Sequence, residues 1–318
     1  MSVPLWVWAA TIAGLLVVIV VDLFVVGRDP HEVTMREASS WVAAMAGLAV
    51  LFGLGLGAVA GGKYGGQFFA GWITEYSLSV DNLFIFVVIM ARFAVPADLQ
   101  HRVLLVGVLI ALALRGAFIA AGAAVLTNFG WMFYVFGAFL LYTGLKLATG
   151  HGDAEYRENR LVRIVRKVYP TTDEYHGTAL TTRLDGRRTV TPMLLVILAI
   201  GATDLLFALD SIPAVFGLTR VAYIVFTTNM FALLGLRQLY FLLGGLLTRL
   251  VYLSYGLAFI LVFIGVKMIF EALHNSHVER IGPVPVPTVS IPVSLGVIVG
   301  ALAVTSVLSL TVGKRSTD

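Results

Sequence analysis

WITEYSLSVDNLF, from Trp72 to Phe84, and IGATDLLFALDSIPAVF, from Ile200 to Phe216, are two apolar stretches that carry one polar pattern. Each holds a Thr-acid pair, then an Asp six residues beyond the acid, then an amide or a hydroxyl. Glu75, Asp81 and Asn82 thereby correspond to Asp204, Asp210 and Ser211. A carboxylate set in hydrocarbon costs about 3 kcal/mol even on the most lenient insertion scales, so something must compensate it. A cation is the direct compensator, and the doubled pattern predicts an ion-transport site.

The surrounding chain is membrane-like. Hydrophobic residues make up 59% and charged residues 13% of it, the latter roughly half the share of a soluble domain. The mean hydropathy is +0.93. Apolar runs of about 20 residues, bounded by charged or turn-forming residues, predict transmembrane helices. Nine such runs lie near 5–27, 40–61, 68–91, 102–126, 130–149, 190–216, 220–247, 251–271 and 290–312. The first has no basic residue before it and is long enough to cross, which favours a retained helix over a cleaved signal peptide. The chain has no cysteine, which excludes disulfides and thiolate metal sites.

Basic residues orient the spans. With the N-terminus outside, fifteen Lys and Arg fall in cytoplasmic segments and three, Lys63, Arg220 and Arg280, fall outside. The expected location is a cell inner (plasma) membrane, with the C-terminus cytoplasmic. Eight of the fifteen lie in the one long polar segment, Gly150 to Thr189, where Glu155 to Val168 has the spacing of a helix lying along the membrane surface. No glycine-rich phosphate loop occurs there, and the segment reads first as a topology-fixing linker. The GPVPVP run from Gly282 to Pro287 predicts an extended link to the ninth span.

The two halves share more landmarks. Arg115 in LALRG and Lys146 in YTGLK follow the first motif, and Arg237 in LGLRQ and Lys267 in FIGVK follow the second. Three spans separate equivalent positions, and because three is odd the repeats cross the membrane in opposite senses. The predicted fold is therefore all-α and polytopic, with about nine transmembrane helices built around an inverted repeat of two three-helix units. The chain divides into an N-terminal two-helix segment (1–67), a first repeat (68–149), a basic cytoplasmic loop (150–189), a second repeat (190–271) and a linker with a C-terminal accessory helix (272–318). Folds of this kind carry discontinuous helices at the midplane. Gly61, Gly62, Gly65, Gly66, Gly71, Gly201 and Pro213 are candidates for breaking the third and sixth spans. In an unbroken helix, positions seven apart share a face and positions six apart lie about 120° from each other. Glu75 then faces with Asn82 and Asp204 with Ser211, whereas Asp81 and Asp210 join them only where the helix unwinds, or serve a second site. Gly53, Gly57 and Gly61 recur every fourth residue in the second span and predict close helix contact.

All six histidines lie in loops or at span ends, so no imidazole is available at the midplane. Carboxylate, amide, hydroxyl and carbonyl oxygens remain, the ligand set of Mg²⁺, Ca²⁺ and Mn²⁺. Candidate metal ligands are Glu75, Asp81, Asn82, Asp204, Asp210 and Ser211, with Asp22, Arg115, Lys146, Arg237 and Lys267 as supporting charge. No resident cofactor is implied, and the divalent cation is cargo. Burial that raises some carboxylate pKa values would add proton coupling. The competing reading of each acid is an ion pair to one of the bases. An intramembrane aspartyl protease is disfavoured, because Val80 and Leu209 precede the two Asp in place of Tyr-Asp and Gly-x-Gly-Asp contexts. The chain is read as no enzyme and as having no nucleic-acid partner.

At EYSLSVDNLF and ATDLLFALDSIPAVFG the chain resembles the TerC family of integral membrane proteins, over about Val7 to Lys267. The resemblance implies inverted three-helix repeats, an association with tellurium resistance, and Mn²⁺ efflux or metal handling among relatives. By that similarity Glu75, Asp81, Asp204 and Asp210, with Asn82 and Ser211 beside them, form the ion pathway. The leading expectation is a transporter exporting Mn²⁺ or a related divalent cation. The alternatives are transport of a tellurium oxyanion or a basic amino acid, or a membrane scaffold acting in stress resistance.

Overall fold

The computed structural model describes residues 3–26, 35–149, 159–184, 186–243, 252–276, 278, 280–281 and 283–312. In chain order the helices are α1 (Leu5–Val26), α2 (Met35–Ala60), α3 (Gly62–Arg92), α4 (Ala97–Asn128), α5 (Met132–Thr149), α6 (Arg160–Val168), α7 (Pro192–Phe216), α8 (Ala222–Leu234), α9 (Leu236–Leu243), α10 (Leu253–Asn275) and α11 (Ile291–Val312). Two short antiparallel hairpins, β1 (Thr181–Leu184) with β2 (Arg187–Val190) and β3 (Arg280–Ile281) with β4 (Val284–Pro285), interrupt them. The protein is an all-α polytopic membrane protein. Among the described residues, seven helices are long and apolar enough to cross a membrane, and Leu5–Val21 and Ala222–Leu234 are shorter apolar helices.

The seventh expected span is two helices. Gly235 ends α8 and α9 starts one residue later, because glycine has the weakest helix preference after proline and here sits at φ −90°, ψ −5°. The expected breaks in the third and sixth spans do not occur. Helix α3 runs unbroken through Glu75 to Asn82, and α7 runs unbroken through Asp204 to Ser211 with Pro213 inside its last turn. Most of the glycines proposed to break them serve contact instead. Gly61, at φ +110°, makes the turn between α2 and α3, a backbone position that side chains with a Cβ avoid. A Cβ on Gly65 would stand 2.9 Å from the Gly57 Cα and 3.1 Å from the Gly53 oxygen, so α2 and α3 touch backbone to backbone there.

Helices α5 and α10 pack as closely. A Cβ on Gly137 would lie 2.9 Å from the Gly265 oxygen, and one on Gly144 2.9 Å from the Ala258 oxygen. Exchanging the two halves of the chain carries the first contact onto the second. The same exchange relates the packing of α4 on α7, where Gly107 meets Ile200, to that of α3 on α8, where Gly71 meets Thr228. Helix α7 packs among α3, α4, α5 and α8, and most of its residues are buried. Helix α11 lies against α10, where Gly256 abuts Thr305, and against α3.

In the basic loop, Asn159 caps α6 by accepting the Leu161 N–H at 3.2 Å. Helix α6 is amphipathic and packs on α7 through Val162, while Leu161, Ile164 and Val168 are exposed beside its arginines. Of the helix expected over 155–168, the residues before 159 lie outside the described residues. The Tyr175 hydroxyl donates to the Phe93 carbonyl at 2.9 Å, tying the loop to the end of α3, and burial pushes its phenol up to about 12.

Candidate functional site

Four helices converge on Arg115. It sits on α4, fully buried, and its guanidinium reaches α3, α7 and α8 together. From α7, Asp204 accepts a fork of two hydrogen bonds, Nε to Oδ2 at 3.1 Å and Nη2 to Oδ1 at 3.0 Å. From α3, Glu75 accepts from Nη1 through Oε1. The same Nη1 donates to Asn229 Oδ1 on α8 at 3.1 Å and stands 3.4 Å from Ser211 Oγ on α7. Bidentate charge-assisted bonds of this geometry are among the strongest a protein makes. Asp204 and Ser211, seven residues apart, meet the guanidinium from one face of α7, as helical periodicity requires.

Local sequence explains why these groups point inward. In α3, Thr74 returns its hydroxyl to the Ala70 carbonyl at 2.8 Å and Ser77 to the Ile73 carbonyl at 2.6 Å, so these two hydroxyls are satisfied within the helix, whereas Trp72 Nε1 and Ser79 Oγ are buried without a partner. Gly71, one turn before Glu75, lets α3 approach α8, since a Cβ there would lie 2.9 Å from Thr228 Cγ2. Thr227, Thr228 and Asn229 are each fully buried, and Asn229 donates to the Val225 carbonyl at 3.1 Å, leaving its oxygen for Arg115.

Glu75, Asp204 and Arg115 are exposed by no more than 1% each, and two carboxylates face one guanidinium. Glu75 Oε2 is buried without a hydrogen-bond partner, an unmet acceptor in a water-poor place. The cluster is thus an oxygen-lined cage with its own tethered cation and an excess of acceptors. Among the described residues no three of His, Cys, Asp and Glu are grouped to hold a metal ion.

Among the described side chains, Glu75 and Asp204 meet, on Arg115. The expectation that Asp210 joins them holds only for an unwound helix, and α7 does not unwind. Asp210, six residues beyond Asp204 on an unbroken helix, turns to α5, where it accepts from the Thr143 hydroxyl at 3.3 Å and feels the Lys146 ammonium. Asn82 is buried on α3 but does not bond to Arg115. The side chains of Asp22, Asp81 and Arg237 lie outside the described residues. Lys146 is exposed, whereas Lys267 is buried and donates to Ser294 Oγ on α11 at 3.2 Å. Asn229 is the residue that sequence reasoning passed over. Its signal was an amide inside an expected span, in TTNMF from Thr227 to Phe231, without a counterpart in the other half to draw attention to it.

Comparison with known proteins agrees with this membrane-embedded architecture. Over 95% of this chain and 78% of its own length, a membrane protein of Mycobacterium tuberculosis strain H37Rv is 45% identical. A membrane protein of Myxococcus xanthus is 42% identical over 95% of this chain and 91% of its own length. The Escherichia coli K12 protein named "Putative membrane-bound redox modulator Alx" is 37% identical over 97% and 95%. No solved structure matches the chain. The profile of the integral membrane protein TerC family matches residues 60–317, which include every residue of the Arg115 cluster, and the chain belongs to that family.

Proposed function

We propose that the protein is a secondary transporter that exports a divalent metal cation, Mn²⁺ before others, through the cage around Arg115. The observation that carries this reading is the set of oxygens meeting the guanidinium: two carboxylates, an amide and a hydroxyl from three helices. Hard divalent ions take such oxygen donors, and the metal handling that the family resemblance implies favours Mn²⁺ among them. Arg115 is the resident counter-ion. Metal enters when the guanidinium withdraws, and its return expels the metal, so the site never leaves two carboxylates uncompensated. An inverted repeat supplies the two access states, and the paired contacts of α5 with α10, α4 with α7 and α3 with α8 support it. Proton exchange for metal fits the same carboxylates. The protein lies in the plasma membrane with its N-terminus outside, and its activity is transport and not catalysis.

The net negative charge of the cage disfavours a tellurium oxyanion. Thiol–disulfide chemistry, one meaning a redox name could carry, is closed to a chain without cysteine. The test is flux of Mn²⁺, Mg²⁺, Ca²⁺ and Zn²⁺ in vesicles reconstituted with the full chain, repeated for Glu75→Gln and Asp204→Asn. Mn²⁺ flux is expected in the parent and at least tenfold less in both variants. Unchanged flux in both variants, or no metal flux in the parent, overturns the reading.

A further inference from the structure

At the end of the bundle where α3 and α11 begin and α10 finishes, a cavity of about 1030 Å³ opens between these three helices. Its charged lining is unbalanced. Among the described residues, Lys63, Arg220 and Lys267 face a single carboxylate, Glu271, which Arg220 engages through Nη2 at 2.8 Å. Lys267 is only 8% exposed, and its one hydrogen bond is to the neutral Ser294 hydroxyl. Glu271, one turn on from Lys267, is the carboxylate that Lys267 and Arg220 share, so the buried ammonium has only part of a counter-ion and a ligand carrying negative charge would complete it.

Backbone groups add to the field. Helix α3 starts at Gly62 behind Gly61, whose lack of a side chain leaves the first N–H groups uncapped, and both Gly62 and Lys63 line the cavity. Helix α11 starts at Ile291 on the same wall. Two helix N-termini thus direct partial positive charge at one space, the arrangement that binds oxyanions. The carbonyl end of α10 also reaches the rim, but the Ala272 and Leu273 carbonyls accept the Ser276 N–H at 3.0 Å. Leu218, Phe270 and Leu295 give the wall an apolar part, beside the polar Gln67, His274 and Asn275.

We propose that this cavity binds an oxyanion of the phosphate class, held by Lys267 within and Lys63 at the rim, with an apolar portion of the ligand against Phe270 and Leu295. A phospholipid headgroup and free phosphate share that chemistry. The site is separate from the Arg115 cage and does not depend on the transport reading. The test is titration of the purified, delipidated full chain with short-chain phosphatidylglycerol and with inorganic phosphate, read by calorimetry and by the shift in melting temperature. The comparison includes Lys267→Gln, Lys63→Gln and, on α6, Lys167→Gln. Affinity is expected to fall about tenfold in Lys267→Gln and severalfold in Lys63→Gln, and to hold in Lys167→Gln. Binding of phosphatidylglycerol alone identifies a lipid site, and binding of phosphate alone a soluble-anion site; either supports the proposal. Should Lys267→Gln fail to fold, the exposed Lys63→Gln carries the test. No binding by the parent, or equal affinity in the parent and the Lys63 and Lys267 variants, overturns it.

Discussion

Arg115 is where the electrostatics of this protein concentrate. Its guanidinium neutralises one of two buried carboxylates outright and shares the other, and Asn229 and Ser211 complete its donors. Removing one member of such a pair leaves a buried charge alone, at a cost of about 3–5 kcal/mol. Arg115→Ala is therefore expected to lower the unfolding free energy by about that amount, measured as thermal or denaturant unfolding in detergent. If a metal ion can replace the guanidinium, millimolar Mn²⁺ will raise the melting temperature of Arg115→Ala by more than that of the parent. An equal or absent Mn²⁺ effect would leave the cluster a structural ion pair. The pairing of an acid with a base was a reading open from residue types alone. Which base, and that it would take Glu75 and Asp204 together, was not, because Arg115 is 40 residues from Glu75 and 89 from Asp204 and only packing brings them together.

Among the elements, the informative correction concerns helix continuity. Glycines before an acidic motif can mark an unwound segment or a close crossing, and composition does not separate the two. Here Gly65 and Gly71 are crossings: their missing Cβ atoms let α3 lie on α2 and on α8, and α3 stays helical through the motif. Because α7 stays helical too, Asp210 is carried about 120° away from Asp204 and ends against α5. The glycines of the Gly-x-Lys landmarks are likewise crossings, Gly144 against α10 and Gly265 against α5. Gly144→Val and Gly137→Leu are expected to destabilise the protein by about 1–3 kcal/mol, since the added carbons would meet backbone oxygens that cannot turn aside. Gly55→Ala, with nothing within 4 Å of the new carbon, is expected to be neutral or to stabilise by up to about 1 kcal/mol. Unfolding curves of the three variants side by side check both statements.

For the whole molecule, the absence of cysteine turns orientation into a direct measurement. Lys63→Cys is expected to react with a membrane-impermeant maleimide on intact cells, and Asp173→Cys, in the basic loop, only after permeabilisation. The opposite pattern would invert the orientation read from the basic residues. Hydrophobic run length, the bias of Lys and Arg and the doubled acidic motif are properties of a linear chain, so the all-α membrane class, the family and the matched order of landmarks are legible without coordinates. Periodicity likewise pairs Asp204 with Ser211, because both lie on one helix. Contacts between helices distant in sequence depend on how faces dock, and no linear pattern encodes that. Folding alone therefore seats Arg115 between Glu75 and Asp204, adds Asn229 from α8, sends Asp210 to α5, and buries Lys267 beside an open cavity.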